Sequence, residues 1–447
     1  MPDLSTIIKA YDVRGIVPDQ LDEQVARAIG AAFARVTGAS TVVTAHDMRE
    51  SSVPLSAAFA AGVTSQGADV IDAGLGSTDL LYFASGSLDL PGAMFTASHN
   101  PAKYNGIKMC RAGASPIGQD TGLREIRALA EQGLEPTGTP GTVQRRDLLS
   151  AYAAHLHSLV DLSRIRPLTV VVDAGNGMAG YTAPAVLGPP LTVVPLYFEL
   201  DGNFPNHEAN PLEPANLRDL QAKVVETGAD LGLAFDGDAD RCFVVDERGA
   251  AVSPSAITAL VAARILAEHP GATIIHNLIT SHAVPEVVRE RGGLPVRTRV
   301  GHSFIKQQMA ETDAAFGGEH SAHYYFRDFW KADTGMLAAM HVLAELGAAD
   351  VPLSHLTAAY ARYAASGEIN STVADVPGRT AAVEEAYGKR DGVTVDHLDG
   401  LTVQLPDGSW FNLRPSNTEP LLRLNVEAPD EAAMAELRDA VLALVRA

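Results

Sequence analysis

Cysteine is almost missing from this chain: Cys110 and Cys242 are the two in 447 residues. Neither sits in a CxxC pair, so nothing indicates a disulfide framework or a cysteine-bound metal. Positive charge is also short, with 34 Lys and Arg against 54 Asp and Glu and a net charge of −20. A surface this acidic argues against nucleic acid or an anionic membrane as a partner. It leaves room for a small anionic substrate held by a local basic cluster. No apolar run is long enough to span a bilayer. The opening "MPDLSTIIKAYDVRG" lacks the basic-then-apolar layout of a signal peptide, and a cytoplasmic enzyme is the expectation. There is no Walker A sequence and no G-x-S-x-G elbow, which disfavours nucleoside triphosphates and a serine hydrolase.

The composition is that of an ordinary globular protein, 46% hydrophobic and 20% charged. The length is too great for one core and suggests about three or four domains. Three stretches, "TVVTAHDMR" (41–49), "TVVVDAGNG" (169–177) and "TIIHNLITS" (273–281), each pair a β-branched run with a polar or glycine-bearing loop. Alanine-rich, helix-compatible sequence follows each, which is the pattern of three α/β domains in series. "EPTGTPGTV" (135–143) suits a linker before the helical "DLLSAYAAHLHSL". From about residue 366 the texture becomes successive strands, with a Pro406-Asp407-Gly408 turn and a terminal helix capped by Asp430. The last domain is thus of a different, α+β type.

The sharpest motif is "LGLAFDGDADRCFVVDERG" (231–249). Asp236, Asp238 and Asp240 fall in a tight turn between two apolar runs, where three carboxylates repel unless a cation or water intervenes. An oxygen-only ligand set suits Mg²⁺ or Ca²⁺. An EF-hand fails, because Arg241 stands at the sixth loop position, where glycine is needed, and the flanks read as strands. Mg²⁺ is the better fit.

Other motifs carry weaker signals. In "FTASHNPAKYNGIKM" (95–109), Ser98 follows a buried strand, a place where α/β proteins put their chemistry, and is a candidate nucleophile. His99 is its neighbour, but side chains of adjacent strand residues point apart. Gly175, Gly177 and Gly180 match a G-x-G-x-x-G spacing with Glu199 further on, which supports a rival oxidoreductase reading; a glycine-rich strand-to-helix turn explains them more simply. "GGEHSAHYYF" (317–326) offers Glu319, His320, Ser321 and His323, which suit a sugar or, less well, zinc. "LRPSNTEP" (413–420) concentrates groups that cradle phosphate: Arg414 forks onto oxygens while hydroxyls donate.

In this order "TASHNP", "DGDADR", "GEHSAH" and "RPSNTEP", with "KAYDVRG" near the start, resemble the α-D-phosphohexomutase family over nearly the whole chain. The form of "GEHSAH" is similar to its phosphomannomutase/phosphoglucomutase branch. The resemblance implies three related three-layer α/β domains with mixed sheets and a C-terminal α+β domain like the TATA-binding protein. On this sequence they fall at residues 1–145 (phosphoserine loop), 146–250 (metal loop), 251–365 (sugar-recognition loop) and 366–447 (phosphate-binding loop).

The resemblance also implies roles. Ser98 would be phosphorylated and donate its phosphoryl group, and the three aspartates with one phosphoserine oxygen would hold Mg²⁺. Arg14, His99 and Lys108 fall among the catalytic positions, with Lys108 and Arg14 close to the reacting oxygens; His302 of "RVGHSFIK" matches a histidine assigned acid–base or positioning work. Tyr11 and Arg241 match substrate contacts; Glu319 and Ser321 match contacts to the sugar O3 and O4, with His323 beside them. Arg414, Ser416, Asn417 and Thr418 match the grip on the phosphate not being transferred. In one departure from some relatives, "NLITSH" (277–282) offers no lysine or arginine, only His282.

The implied activity is interconversion of mannose 1-phosphate and mannose 6-phosphate through a hexose 1,6-bisphosphate, which also serves as activator, with glucose phosphates as further substrates. The partners are hexose phosphates, with no nucleic acid or membrane. Within the family the alternatives are a phosphoglucomutase proper and, further off, a phosphoglucosamine mutase. Outside it stands a catalytically silent sugar-phosphate-binding protein, which would need neither Ser98 nor the aspartate triplet.

Overall fold

The computed structural model describes residues 3–8, 11–415 and 421–447, with the side chain of His302 outside that description. These residues form four sheets. The first orders strands Val13–Ile16, Tyr104–Arg111, Gly92–Phe95, Thr41–His46, Asp69–Leu75 and Val143–Arg145, with Ser115–Pro116 pairing beside Tyr104–Arg111. The second orders Ala251–Val252, Cys242–Asp246, Leu231–Phe235, Leu168–Asp173 and Leu191–Leu196. The third orders Leu294–Thr298, Thr273–Asn277, Phe316–Gly318, Tyr324–Phe326 and Ala332–Asp333.

These three sheets repeat one plan. The stretches that look alike in sequence supply Thr41–His46, Leu168–Asp173 and Thr273–Asn277, each lying between two parallel partners. On one side the partner turns back as an antiparallel hairpin: Gly92–Phe95 into Tyr104–Arg111, Leu231–Phe235 into Cys242–Asp246, and Phe316–Gly318 into Tyr324–Phe326. The hairpin turns are residues 96–103, 236–241 and 319–323, so the three chemistry-bearing motifs occupy equivalent positions. All three leave the carboxyl end of a parallel strand, where open α/β sheets bind ligands. The β-branched runs are what permit this: strands such as Leu168–Asp173 are buried on both faces and tolerate few polar side chains.

One continuous apolar core joins these units. It runs from Leu80, Leu81 and Phe83 of the helix Thr78–Leu88 through Val170 and Leu233 to Leu260 and Leu343. A second core, around Phe33, Phe59 and Phe95, fills the other face of the first sheet. The fourth sheet is antiparallel throughout, in the order Ala364–Thr372, Leu421–Ala428, Trp410–Pro415, Leu401–Gln404 and Thr394–Asp396. Helices Val376–Tyr387 and Glu431–Val445 cover it and close a separate core around Phe411, Leu424 and Val441. Asp430 caps the terminal helix by accepting from the Ala433 amide. Among the described residues no helix is long and apolar enough to cross a membrane.

Candidate active site

The hairpin turns of the first and second sheets meet head to head. Gly237 lies so close to the first that a Cβ on it would come within 2.4 Å of the Ser98 carbonyl. Across this contact the Ser98 hydroxyl donates to Asp236 Oδ2 at 2.6 Å. Ser98 has a left-handed backbone, φ 49°, rare for a residue with a side chain and a mark of functional turns. That conformation corrects the strand-based expectation that Ser98 and His99 diverge: the Ser98 oxygen is 3.2 Å from His99 Nδ1.

The triplet's three carboxylates converge, each offering an oxygen within 4.8 Å of the others. Asp236 Oδ2 accepts from Arg241 Nε at 3.0 Å and Nη2 at 2.9 Å. Lys108 Nζ reaches Asp238 Oδ2 at 2.7 Å and Asp240 Oδ2 at 2.6 Å. Thr78, at the start of helix Thr78–Leu88, donates its hydroxyl to Asp238 Oδ2 at 2.6 Å and its amide to the Asp238 carbonyl at 3.0 Å. In the same turn Asp79 accepts from Tyr152 and Thr334, tying three domains together beneath the site.

Electrostatics here are strained. Burial drives Asp236 upward; Arg241 pulls it back, while Asp240 and Asp238 push it further up. Asp238 is buried as well, but Lys108 and Thr78 outweigh that and draw it down. Burial would lower Lys108, yet Asp238 and Asp240 hold its ammonium charged well above the usual lysine range. His99 is kept neutral by burial first, then by Arg241 and Arg14.

A cavity of about 170 Å³ opens over this cluster. Tyr11, Arg14, Ser98, His99 and Lys108 line it from the first domain, Asp240 and Arg241 from the second, and His323 from the third. Arg14 is oriented by Asp12 at 2.6 Å and donates to Asn100. Glu319 and Ser321 stand behind His323: Ser321 Oγ is 2.9 Å from His323 Nδ1. Glu319 Oε1 accepts from Asn277 and the Gly301 amide, and Oε2 from Tyr325 at 2.7 Å. Arg414 lies in the fourth domain away from this lining, 3.4 Å from Glu368 and 3.7 Å from Asp399. Ser416, Asn417 and Thr418 fall outside the described residues, and nothing is placed for the His302 side chain on helix His302–Thr312.

Two cavity-side residues escape the sequence reading. Lys306 lies on the cavity wall with Nζ 2.7 Å from Asp333 and 4.1 Å above the Tyr82 ring. Its spacing of four from His302, on one helix face, is a signal that could have found it. Thr78 had no such signal, because it acts on a residue 160 positions away. His282 supplies no charge to the site: its ring stacks on Trp410, and burial lowers its pKa. The glycine fingerprint serves packing, since a Cβ on Gly177 would lie 2.7 Å from the Gly237 carbonyl and one on Gly180 2.3 Å from that of Phe198. Glu247, at the position where an EF-hand would place its twelfth-residue ligand, instead accepts from the Ser354 amide and hydroxyl.

Comparison with known proteins agrees with this arrangement. Models of phosphoglucomutase/phosphomannomutase α/β/α domains I, II and III match residues 5–136, 150–249 and 253–363, and the family's C-terminal domain matches 368–444. The chain belongs to the phosphoglucomutase/phosphomannomutase family. A phosphomannomutase of Escherichia coli K12 is 40% identical over 98% of both chains. A protein of Xanthomonas campestris pv. campestris named phosphohexose mutases is 44% identical over 96% of both. Among solved structures, a phosphoglucomutase/phosphomannomutase family protein from Burkholderia thailandensis superimposes with a TM-score of 0.89 at 35% identity, covering 99% of this chain and 97% of its own. Membership accounts for the three-fold repeat of the hairpin and for the distinct fourth domain.

Proposed function

We propose that this family member is a phosphomannomutase, interconverting mannose 1-phosphate and mannose 6-phosphate through a phosphoserine at Ser98 and a hexose 1,6-bisphosphate. The observation that carries the reading is the Ser98 hydroxyl, 2.6 Å from Asp236 in a buried carboxylate triplet. A sugar-phosphate-binding protein has no use for that pairing.

The triplet fits a divalent cation. Asp238 Oδ1 and Asp240 Oδ1 are buried and accept no hydrogen bond from the protein, a costly state that a hard cation would relieve. Mg²⁺ held by Asp236, Asp238, Asp240 and a phosphoserine oxygen would neutralise charge on the transferring group.

The chain's own side chains do the rest. The P–Oγ bond of phosphoserine breaks as a bond to the sugar hydroxyl forms, and that hydroxyl's proton passes to a base. His99, 3.2 Å from the Ser98 oxygen, lies within reach of that proton, and Lys108 and Arg14 stabilise the reacting oxygens. Arg241 faces the substrate from the metal loop. Glu319, Ser321 and His323 orient the sugar, and Arg414 with its loop holds the second phosphate. The bisphosphate then turns over, and Ser98 recovers a phosphoryl group from the other end.

A second reading, activity on glucose phosphates, is favoured by the relative named phosphohexose mutases. The two hexoses differ only at C2, away from the O3 and O4 assigned to Glu319 and Ser321. Measuring kcat/KM for mannose 1-phosphate and glucose 1-phosphate, with 1,6-bisphosphate present, decides between them. Turnover of neither sugar would overturn the mutase reading.

A further inference from the structure

Arg49 is 2% exposed and lies in the loop after strand Thr41–His46, among the first domain's "HDMRES" residues. A buried guanidinium is costly unless its donors are met. Here all five N–H groups have acceptors. Nε donates to Asp47 Oδ2 at 3.2 Å, Nη1 to the carbonyls of Pro101 and Tyr104 at 3.1 Å each, and Nη2 to those of Ser98 at 2.8 Å and Asn100 at 2.7 Å. Four of these acceptors are main-chain oxygens of the hairpin that carries Ser98, three in its turn and the fourth on Tyr104, which opens the returning strand.

The guanidinium is itself fixed from behind. Asp47, which aims Nε, accepts from the Ser52 hydroxyl at 2.5 Å and from the Arg49 amide at 3.0 Å. The Phe204 ring of the second domain lies 5.0 Å from the guanidinium carbon. A Cβ on Gly202 would come within 2.8 Å of the Arg49 Cα, so that loop also packs closely on this residue.

The consequence falls on Ser98. A non-glycine residue at φ 49° persists only where its surroundings over-determine it. The bond from Arg49 Nη2 to the Ser98 carbonyl is such a constraint, and its sister bonds fix the chain for six residues onward. Arg49 does not line the reaction cavity, so it touches no substrate.

We infer that Arg49 is a positioning residue for phosphoryl transfer, holding the Ser98 loop so that Oγ is presented to Asp236 and the cavity. The inference rests on the proposed role of Ser98 as phosphoryl carrier. Lysine cannot substitute, because an ammonium has three donors in no plane and cannot span four carbonyls and a carboxylate. A misplacement of about 1 Å at a reacting atom costs on the order of 100-fold in rate. The effect belongs in kcat, since the sugar and distal-phosphate contacts are untouched.

The test compares wild type, Arg49→Lys and Asp47→Asn, with melting curves to select conditions where each is folded. Three quantities are read: kcat and KM for mannose 1-phosphate with bisphosphate, Ser98 phosphorylation by intact mass, and the single-turnover rate of transfer from phosphorylated enzyme. Arg49→Lys should lower kcat and the transfer rate about 100-fold, with KM changed less than threefold. Asp47→Asn, which keeps the guanidinium but weakens its aim, should lower them about tenfold. A merely structural role would reduce the folded fraction and leave the transfer rate per phosphorylated chain alone. A folded Arg49→Lys with kcat within twofold of wild type overturns the inference. If that variant does not fold, an unchanged transfer rate in Asp47→Asn overturns it, and a slowed one at constant KM supports it. Wild type that never carries phosphate on Ser98 overturns both the inference and the carrier role beneath it, which separates the two failures.

Discussion

Ser98 Oγ and Asp236 Oδ2, 138 residues apart in sequence, stand 2.6 Å from each other across the meeting of two domains. The nucleophile candidate of one domain is thus oriented by the metal-ligand candidate of the next. Ser98→Ala is expected to abolish phosphate incorporation from bisphosphate, seen by intact mass, and to lower kcat by about a thousandfold or more. Turnover near wild type would remove Ser98 from the mechanism.

Asp238 shares one oxygen with Lys108 and Thr78 and leaves the other without a protein donor. Asp238→Asn should weaken Mg²⁺ binding and depress kcat at least 100-fold. Thr78→Val, which removes one buried hydrogen bond worth about 1 kcal/mol, should weaken Mg²⁺ binding several-fold with little change in sugar KM. Direct cation titration and activity against chelator check both. A wild type that stays active in excess chelator would dismiss the cation.

Arg414 is held by Glu368 and Asp399 while the Val300 amide also donates to Asp399, at 3.1 Å. A substrate bridging Ser98 and Arg414 must replace these carboxylates with its phosphate and draw the fourth domain onto the cavity. Arg414→Ala should raise KM and lower kcat together while leaving Ser98 phosphorylation intact. Small-angle scattering should record compaction by bisphosphate in wild type and its loss in the variant. Equal dimensions with and without ligand in wild type would rule out closure.

His207 gives a pH signature distinct from catalysis. Its Nε2 faces Asp173 at 3.0 Å and Nδ1 the Glu208 carbonyl at 2.8 Å, an arrangement with two acceptors for a doubly protonated ring. Burial opposes that charge, but the bond and charge of Asp173 prevail and raise the pKa above 6.5. A raised folded-state pKa stabilises fully below the unfolded value and loses that contribution as pH climbs through the folded one. His207→Gln should therefore lower Tm at pH 6, consistent with a loss of about 1 kcal/mol, and the gap to wild type should narrow toward pH 9. A gap that is constant or widens with pH would contradict the charged pair.

Much of this arrangement is legible in the residues because the signals are local. The aspartates on alternate positions, bounded by apolar strands, announce their turn, and the three β-branched stretches mark equivalent strands. What sequence could not convey is contact between distant segments. Nothing in "STDLL" says that Thr78 reaches Asp238, and nothing in "HDMRES" says that Arg49 collects carbonyls from residues 98–104. The strand-based expectation for Ser98 and His99 fails for a local reason: a left-handed residue breaks the alternation on which strand reasoning depends.

The separate core of the fourth domain bears on how the protein comes apart. The first three domains share apolar packing, whereas the fourth has its own core and meets the third through polar links such as Arg297 with Asp396, the Val300 amide with Asp399 and the His282 amide with Glu427, beside the stack of His282 on Trp410. Interfaces of that kind transmit little cooperativity, since water can replace each bond as it opens. Heating should resolve two calorimetric units, one of three domains melting together and one of the fourth alone. The seam across which the proposed phosphate grip would swing also makes the fourth domain the part able to unfold without dismantling the anvil it would strike.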